Sequence, residues 1–154
     1  MTKLWLNEND IPILTGFAGN IDSDSLKPFI FIAQTTDLKR VLGLILYNKI
    51  NSEYIANTLS GNYLTMFNDY IVDMLVYFSC SHYIAMNSSK VSNNGIIKPE
   101  QSTELKEVDR LSARYNSLAN NVMISFQAFM ATITIPEYGK GCEKNVTTNI
   151  ITWY

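Results

Sequence analysis

The chain has 154 residues, enough for one ordinary domain and a sizeable core. Hydrophobic residues make up 47% of it and charged residues only 17%, which excludes a disordered chain and leaves fewer solubilising charges than the usual share of about 25%. A net charge of -2 gives no general attraction to nucleic acid or to anionic membranes.

Residues 1–25 lack a helical period and carry Pro12, Gly16, Gly19 and a run, Asn20 to Ser25, suited to turns and caps, so they are expected to form an N-terminal arm. From Leu26 the spacing of Leu26, Phe29, Ile30 and Ala33 predicts a helix over about Ser25 to Gln34, with Pro28 in its first turn. Thr35 to Gly43 reads as a bend: a capping threonine, one helical turn, a closing glycine. A second helix is expected from Leu44 to about Ser60 on the stripe Ile45, Leu46, Ile50, Tyr54 and Ile55, stopped by Gly61 and Asn62.

Between Tyr63 and Asn87 the only charges are Asp69 and Asp73, both placed near a helix start where the macrodipole favours acids. The rest of that helix is apolar nearly all round, the pattern of a central helix or of one with a face covered by a neighbouring subunit. Residues 88–98 form a polar exposed loop or a small hairpin. The last helix, Gln101 to Ile133, keeps Leu105, Val108, Leu111, Tyr115, Leu118, Val122, Phe126, Phe129 and Met130 on one stripe. Its first half is charged outside and its second half is not. A tail, 134–154, follows, and its β-branched and aromatic end, Val146 to Tyr154, would form a strand given a partner edge. The fold class expected is therefore all-α, a small bundle of four to five helices over 26–133, with an extended N-terminal arm and a strand-like C-terminal tail.

The chemistry of an enzyme is hard to find. His82 is the only histidine and sits in the least charged helix, where a packed or partner-facing role is expected. Cys80 and Cys142 occur in unrelated contexts and form no metal or disulfide framework, so both are read as reduced thiols. Glu104, Glu107 and Asp109 with Lys106, Arg110 and Arg114 read as ion pairs along a solvated helix face. The glycine pairs Gly16/Gly19 and Gly139/Gly141 lack the setting of a phosphate loop. No apolar run approaches the ~18 to 20 residues of a membrane helix, and acids stand where a signal peptide would be apolar. No metal, cofactor, membrane partner or secretion is expected. What remains is a helical module with an arm at each end, free either to pack on its own bundle or to pair with a neighbour.

The run Gly19-Asn20-Ile21-Asp22, Leu26-Lys27-Pro28-Phe29-Ile30, Ala33-Gln34, Asp37-Leu38, Val41-Leu42-Gly43, Leu46-Tyr47 and Ile50 resembles the N-terminal half of the head-tail connector (adaptor) proteins of tailed bacteriophages. It is most like those of gut Bacteroidota phages, including the crAss-like phages, over roughly residues 11 to 133. The resemblance implies a structural, non-enzymatic protein of the virion neck, present in the host cytoplasm during assembly. It implies a ring of about twelve copies between portal and tail, bound to the portal and to the next connector or tail protein, with genomic DNA passing through its channel without sequence-specific binding. On that footing Val146, Ile150, Ile151, Trp153 and Tyr154 are the expected docking segment, unless Trp153 and Tyr154 cap the protein's own core. Lys90, Asn93, Asn94 and Lys98 are candidates to face the channel or an adjacent ring. The rival readings are a tail-completion or stopper protein of the same neck, a small helical enzyme or regulatory subunit with His82 near Asp69 or Asp73, and a DNA-binding module.

Overall fold

A computed structural model describes residues 3–15, 23–87, 90–92, 95–97 and 105–139, and these make an all-α bundle with one small hairpin. The helices are α1 (Asp10–Thr15), α2 (Lys27–Ile32), α3 (Lys39–Leu42), α4 (Leu44–Ala56), α5 (Gly61–Met66), α6 (Val72–Asn87) and α7 (Leu105–Thr132). A 3-10 turn, Ser23–Leu26, leads into α2. The hairpin pairs β1 (Lys90–Ser92) with β2 (Gly95–Ile97) antiparallel, the second of the two alternatives, loop or small hairpin, expected for 88–98.

Two helix pairs are single rods widened by one π turn, a conformation often found at functional positions. A π turn at Ala33–Leu38 joins α2 to α3 without a break, and another at Phe67–Ile71 joins α5 to α6. Of the bend expected over Thr35 to Gly43, the turn closed by a glycine is present as α3 and Gly43, but nothing breaks the helix at Thr35. The threonines spend their hydroxyls on the preceding turn instead, Thr35 donating to the Phe31 carbonyl at 2.7 Å and Thr36 to that of Ile32 at 2.6 Å, so neither caps a new helix. The real corner is Gly43, at φ 77°, where a side chain would be strained.

The second helix also ends earlier than its stop signal. Asn57 takes the left-handed conformation at φ 54°, and its N–H and that of Thr58 close the last turn on α4 carbonyls. Asparagine is the residue other than glycine that best tolerates this cap. Gly61 and Asn62 then open α5 rather than close α4. Because α5 runs unbroken into α6, Asp73 has no helix start behind it, and the macrodipole does not favour its charge. Burial, followed by repulsion from Asp69, raises its carboxyl above the ordinary value.

The apolar third helix is the central one: Met74, Leu75, Val76, Phe78, Ser79 and Cys80 are buried, with α7 along one side and α2 and α1 on others. α7 packs antiparallel to α6. At their crossing Ser81 donates to the Ser112 carbonyl and Ser112 to the Ser81 carbonyl, both at 3.0 Å, an approach that only small side chains permit. The charged residues at the start of α7 stay solvated: among the described residues, Glu107, Asp109, Arg110 and Arg114 form no ion pairs.

The N-terminal arm, where described, is not extended towards a neighbour but laid on the bundle. Trp5, Leu6 and Ile11 belong to the core. Trp5 is 3% exposed and its ring meets Tyr47 at 5.0 Å and Phe67 at 5.8 Å, a burial that contributes roughly 4 to 6 kcal/mol before ordering entropy. Lys27 reaches Glu8 at 3.3 Å and Asp24 at 2.7 Å across the junction.

Candidate functional site

Among the described residues two polar side chains are fully buried, Ser79 in α6 and Gln34 in the first π turn. Gln34 is wholly buried and its amide replaces a missing strand partner: Oε1 accepts the Trp5 N–H at 2.9 Å and Nε2 donates to the Lys3 carbonyl at 3.0 Å. The Trp5 indole N–H donates to Asn51 Oδ1 at 3.1 Å. A buried backbone N–H left without such a partner would cost about 1 to 3 kcal/mol, so Gln34 fixes where the arm lies.

Three residues on, Asp37 faces α6. His82 Nε2 carries a proton and donates it to Asp37 Oδ2 at 2.7 Å, since a carboxylate only accepts. Thr36 Oγ1 lies 3.3 Å from the same oxygen and Arg40 3.8 Å from the other. Partial burial pushes the Asp37 carboxyl up, but His82, Thr36 and Arg40 outweigh it and hold the group below its ordinary value. The histidine is therefore a packed one, held by Asp37 and not by Asp69 or Asp73. The pair ties the π turn to α6. Cys80 is buried, and desolvation pushes its thiol up to about 12, far from a reactive thiolate. Among the described residues no group of three His, Cys, Asp or Glu side chains is placed to hold a metal ion.

The second polar anchor holds the start of the C-terminal tail. Beyond α7, Ile135 is buried and residues 136–139 turn back on the bundle. Tyr63 donates to Glu137 Oε2 at 2.6 Å, and this bond, with smaller help from burial, pushes the phenol up to about 12. Tyr138 stands edge-on to Phe126 at 5.7 Å.

What the surface offers is apolar. Ile13 and Leu14 of α1 are 80% and 53% exposed, and Leu14 borders a groove of about 330 Å³ of mixed character, where Leu111 and Leu118 stand beside Thr15, Arg114 and Tyr115. Leu44 and Ile45 of α4 are exposed as well, and Ile124 stands out from the half of α7 that has no charge between Arg114 and Glu137. Lys90 lies in β1, paired with Ile97. Asn93, Asn94 and Lys98 lie outside the described residues, as do Val146, Ile150, Ile151, Trp153 and Tyr154. Sequence reasoning missed the Gln34 and Asp37 contacts, although both residues stood in the run that carried the resemblance; their spacing of three was the available signal.

A family of unknown function, DUF6712, matches residues 38–148. The chain belongs to DUF6712. No curated protein and no solved structure matches it. The DUF6712 match begins at Leu38, inside the first π turn, so it takes in α3 to α7 and the root of the tail, while Trp5, Gln34 and Asp37 lie ahead of it.

Proposed function

We propose that this DUF6712 chain is a structural, non-enzymatic protein that assembles into a ring adaptor between portal and tail in a phage neck, around the DNA channel. The observation that carries the reading is a pair of uncovered apolar faces that share no residue, Ile13, Leu14 and Leu111 on α1 and α7, and Leu44 and Ile45 on α4. A ring closes through heterologous contacts, in which one patch of each copy meets a different patch of the next. A chain with only 17% charged residues and exposed aliphatic side chains of this size is better suited to burying those faces than to wetting them. The mild net negative charge suits a channel past which DNA slides, because a basic lining would hold phosphate. The tail, anchored at Glu137 and Tyr138, is the proposed contact with the portal, and the partner on the far side is the next connector or tail protein.

The test is native mass spectrometry of the purified chain, alone and mixed with the portal protein of its phage, for the full chain and for one truncated after Lys144. The reading expects a portal complex with many copies of the full chain and its loss on truncation. One copy per portal would favour a stopper, and no complex with either chain would overturn the adaptor reading.

A further inference from the structure

Residue Glu137, at the root of the tail, lies beside an apolar groove. Glu137 is bonded to Tyr63, and Leu64, the next residue of α5, is on the rim of a groove of about 270 Å³ lined by Tyr54, Asn57, Leu59, Leu64, Phe67 and Asn68. Its floor is aromatic, with Tyr54 and Phe67 stacked at 5.2 Å, and Leu64 is 40% exposed. None of these lining residues is charged. The volume suits one large aromatic side chain and is too small for a helix.

Residues 145–154, Asn-Val-Thr-Thr-Asn-Ile-Ile-Thr-Trp-Tyr, are also without charge. We propose that this groove seats the chain's own C-terminal segment, with the Trp153 ring against Tyr54 and Phe67 and Ile150 and Ile151 on the Leu59 and Leu64 rim. The choice of occupant rests on where the segment starts. Because Glu137 fixes the root one residue from the rim, Trp153 lies fourteen positions beyond Gly139, a span of up to about 46 Å, ample to double back. A tethered segment acts at an effective concentration in the millimolar range, which favours the same chain over a second copy in dilute solution. The seat does not depend on the ring reading. If that reading also holds, a partner must draw the segment out of its seat to bind it.

The test is acrylamide quenching of Trp153, read as the difference between the full chain and Trp153→Phe, over a hundredfold range of concentration with light scattering alongside. A seated Trp153 is quenched several-fold less than the same residue in a free peptide of residues 145–154, equally at all concentrations and at monomer mass. Leu64→Glu restores quenching to the peptide's level while the buried Trp5 keeps its own low quenching, which reports an intact fold. Should Leu64→Glu fail to fold, Asn68→Glu on the same groove serves in its place. Quenching like that of the free peptide, or protection that survives a groove variant, overturns the proposal; so does protection that grows only with rising mass, which would assign the groove to a second copy. Portal binding enters none of these readouts, so this proposal and the adaptor reading can fail separately.

Discussion

Gln34 shows how one side chain sets the position of a segment far from it in sequence. Its amide satisfies both a donor and an acceptor of residues 3–5, so Gln34→Ala leaves the buried Trp5 N–H unpaired and the part-buried Lys3 carbonyl without this donor, and is expected to lower unfolding stability by about 2 kcal/mol in urea titration. Tyr47 is the opposite case. Its hydroxyl is buried with no partner among the described residues, so Tyr47→Phe should leave stability unchanged or raise it by up to about 1 kcal/mol. Two partly buried carboxylates, Asp37 and Asp73, predict opposite pH behaviour. Asp37 is held below its ordinary value of 3.8, so its contribution is complete above that pH and disappears as pH falls through its folded value. The stability gap between the natural chain and Asp37→Asn should therefore close below about pH 4. Asp73 is raised, so its ionisation opposes folding; Asp73→Asn should stabilise the protein at pH 7 and lose that advantage in acid, measured by the same titrations.

At the scale of elements, the long periodic signals placed the helices but not every inward face: Ile45 and Ile55 of the expected second-helix stripe and Leu111 of the last are 44%, 47% and 42% exposed, and the punctuation misled further. The stripe of α7 and the charge-poor run of α6 were legible because each is long, and the core they share with α2 lies where the apolar spacing put it. Thr35 and Gly61 misled because their side chain or its absence has two local uses: a threonine can cap or bond back to its own helix, and a glycine can stop a helix or turn the chain into the next one. The two π turns left no trace, since they alter the count of residues per turn by one. The pairing of Asp37 with His82 spans 45 residues, and only the packing of the first rod on α6 brings the two together. The Ser81 and Ser112 contact is another product of packing. Ser112→Leu should force α6 and α7 apart and cost about 1 to 3 kcal/mol, seen as a lower thermal midpoint.

For the whole molecule, the decisive property is the aliphatic surface left outside the core. Ile13 is 80% exposed and Leu14 53%, so Leu14→Asp removes no core contact and should leave the thermal midpoint within a degree or two. Under the ring reading the same change abolishes multi-copy assembly on the portal. The most direct measurement is electron microscopy of the full chain mixed with its portal, classified for rotational symmetry. The account predicts a closed ring of many copies stacked coaxially on the portal, lost in Leu14→Asp; a portal without added density, or with a single off-axis copy, would contradict it.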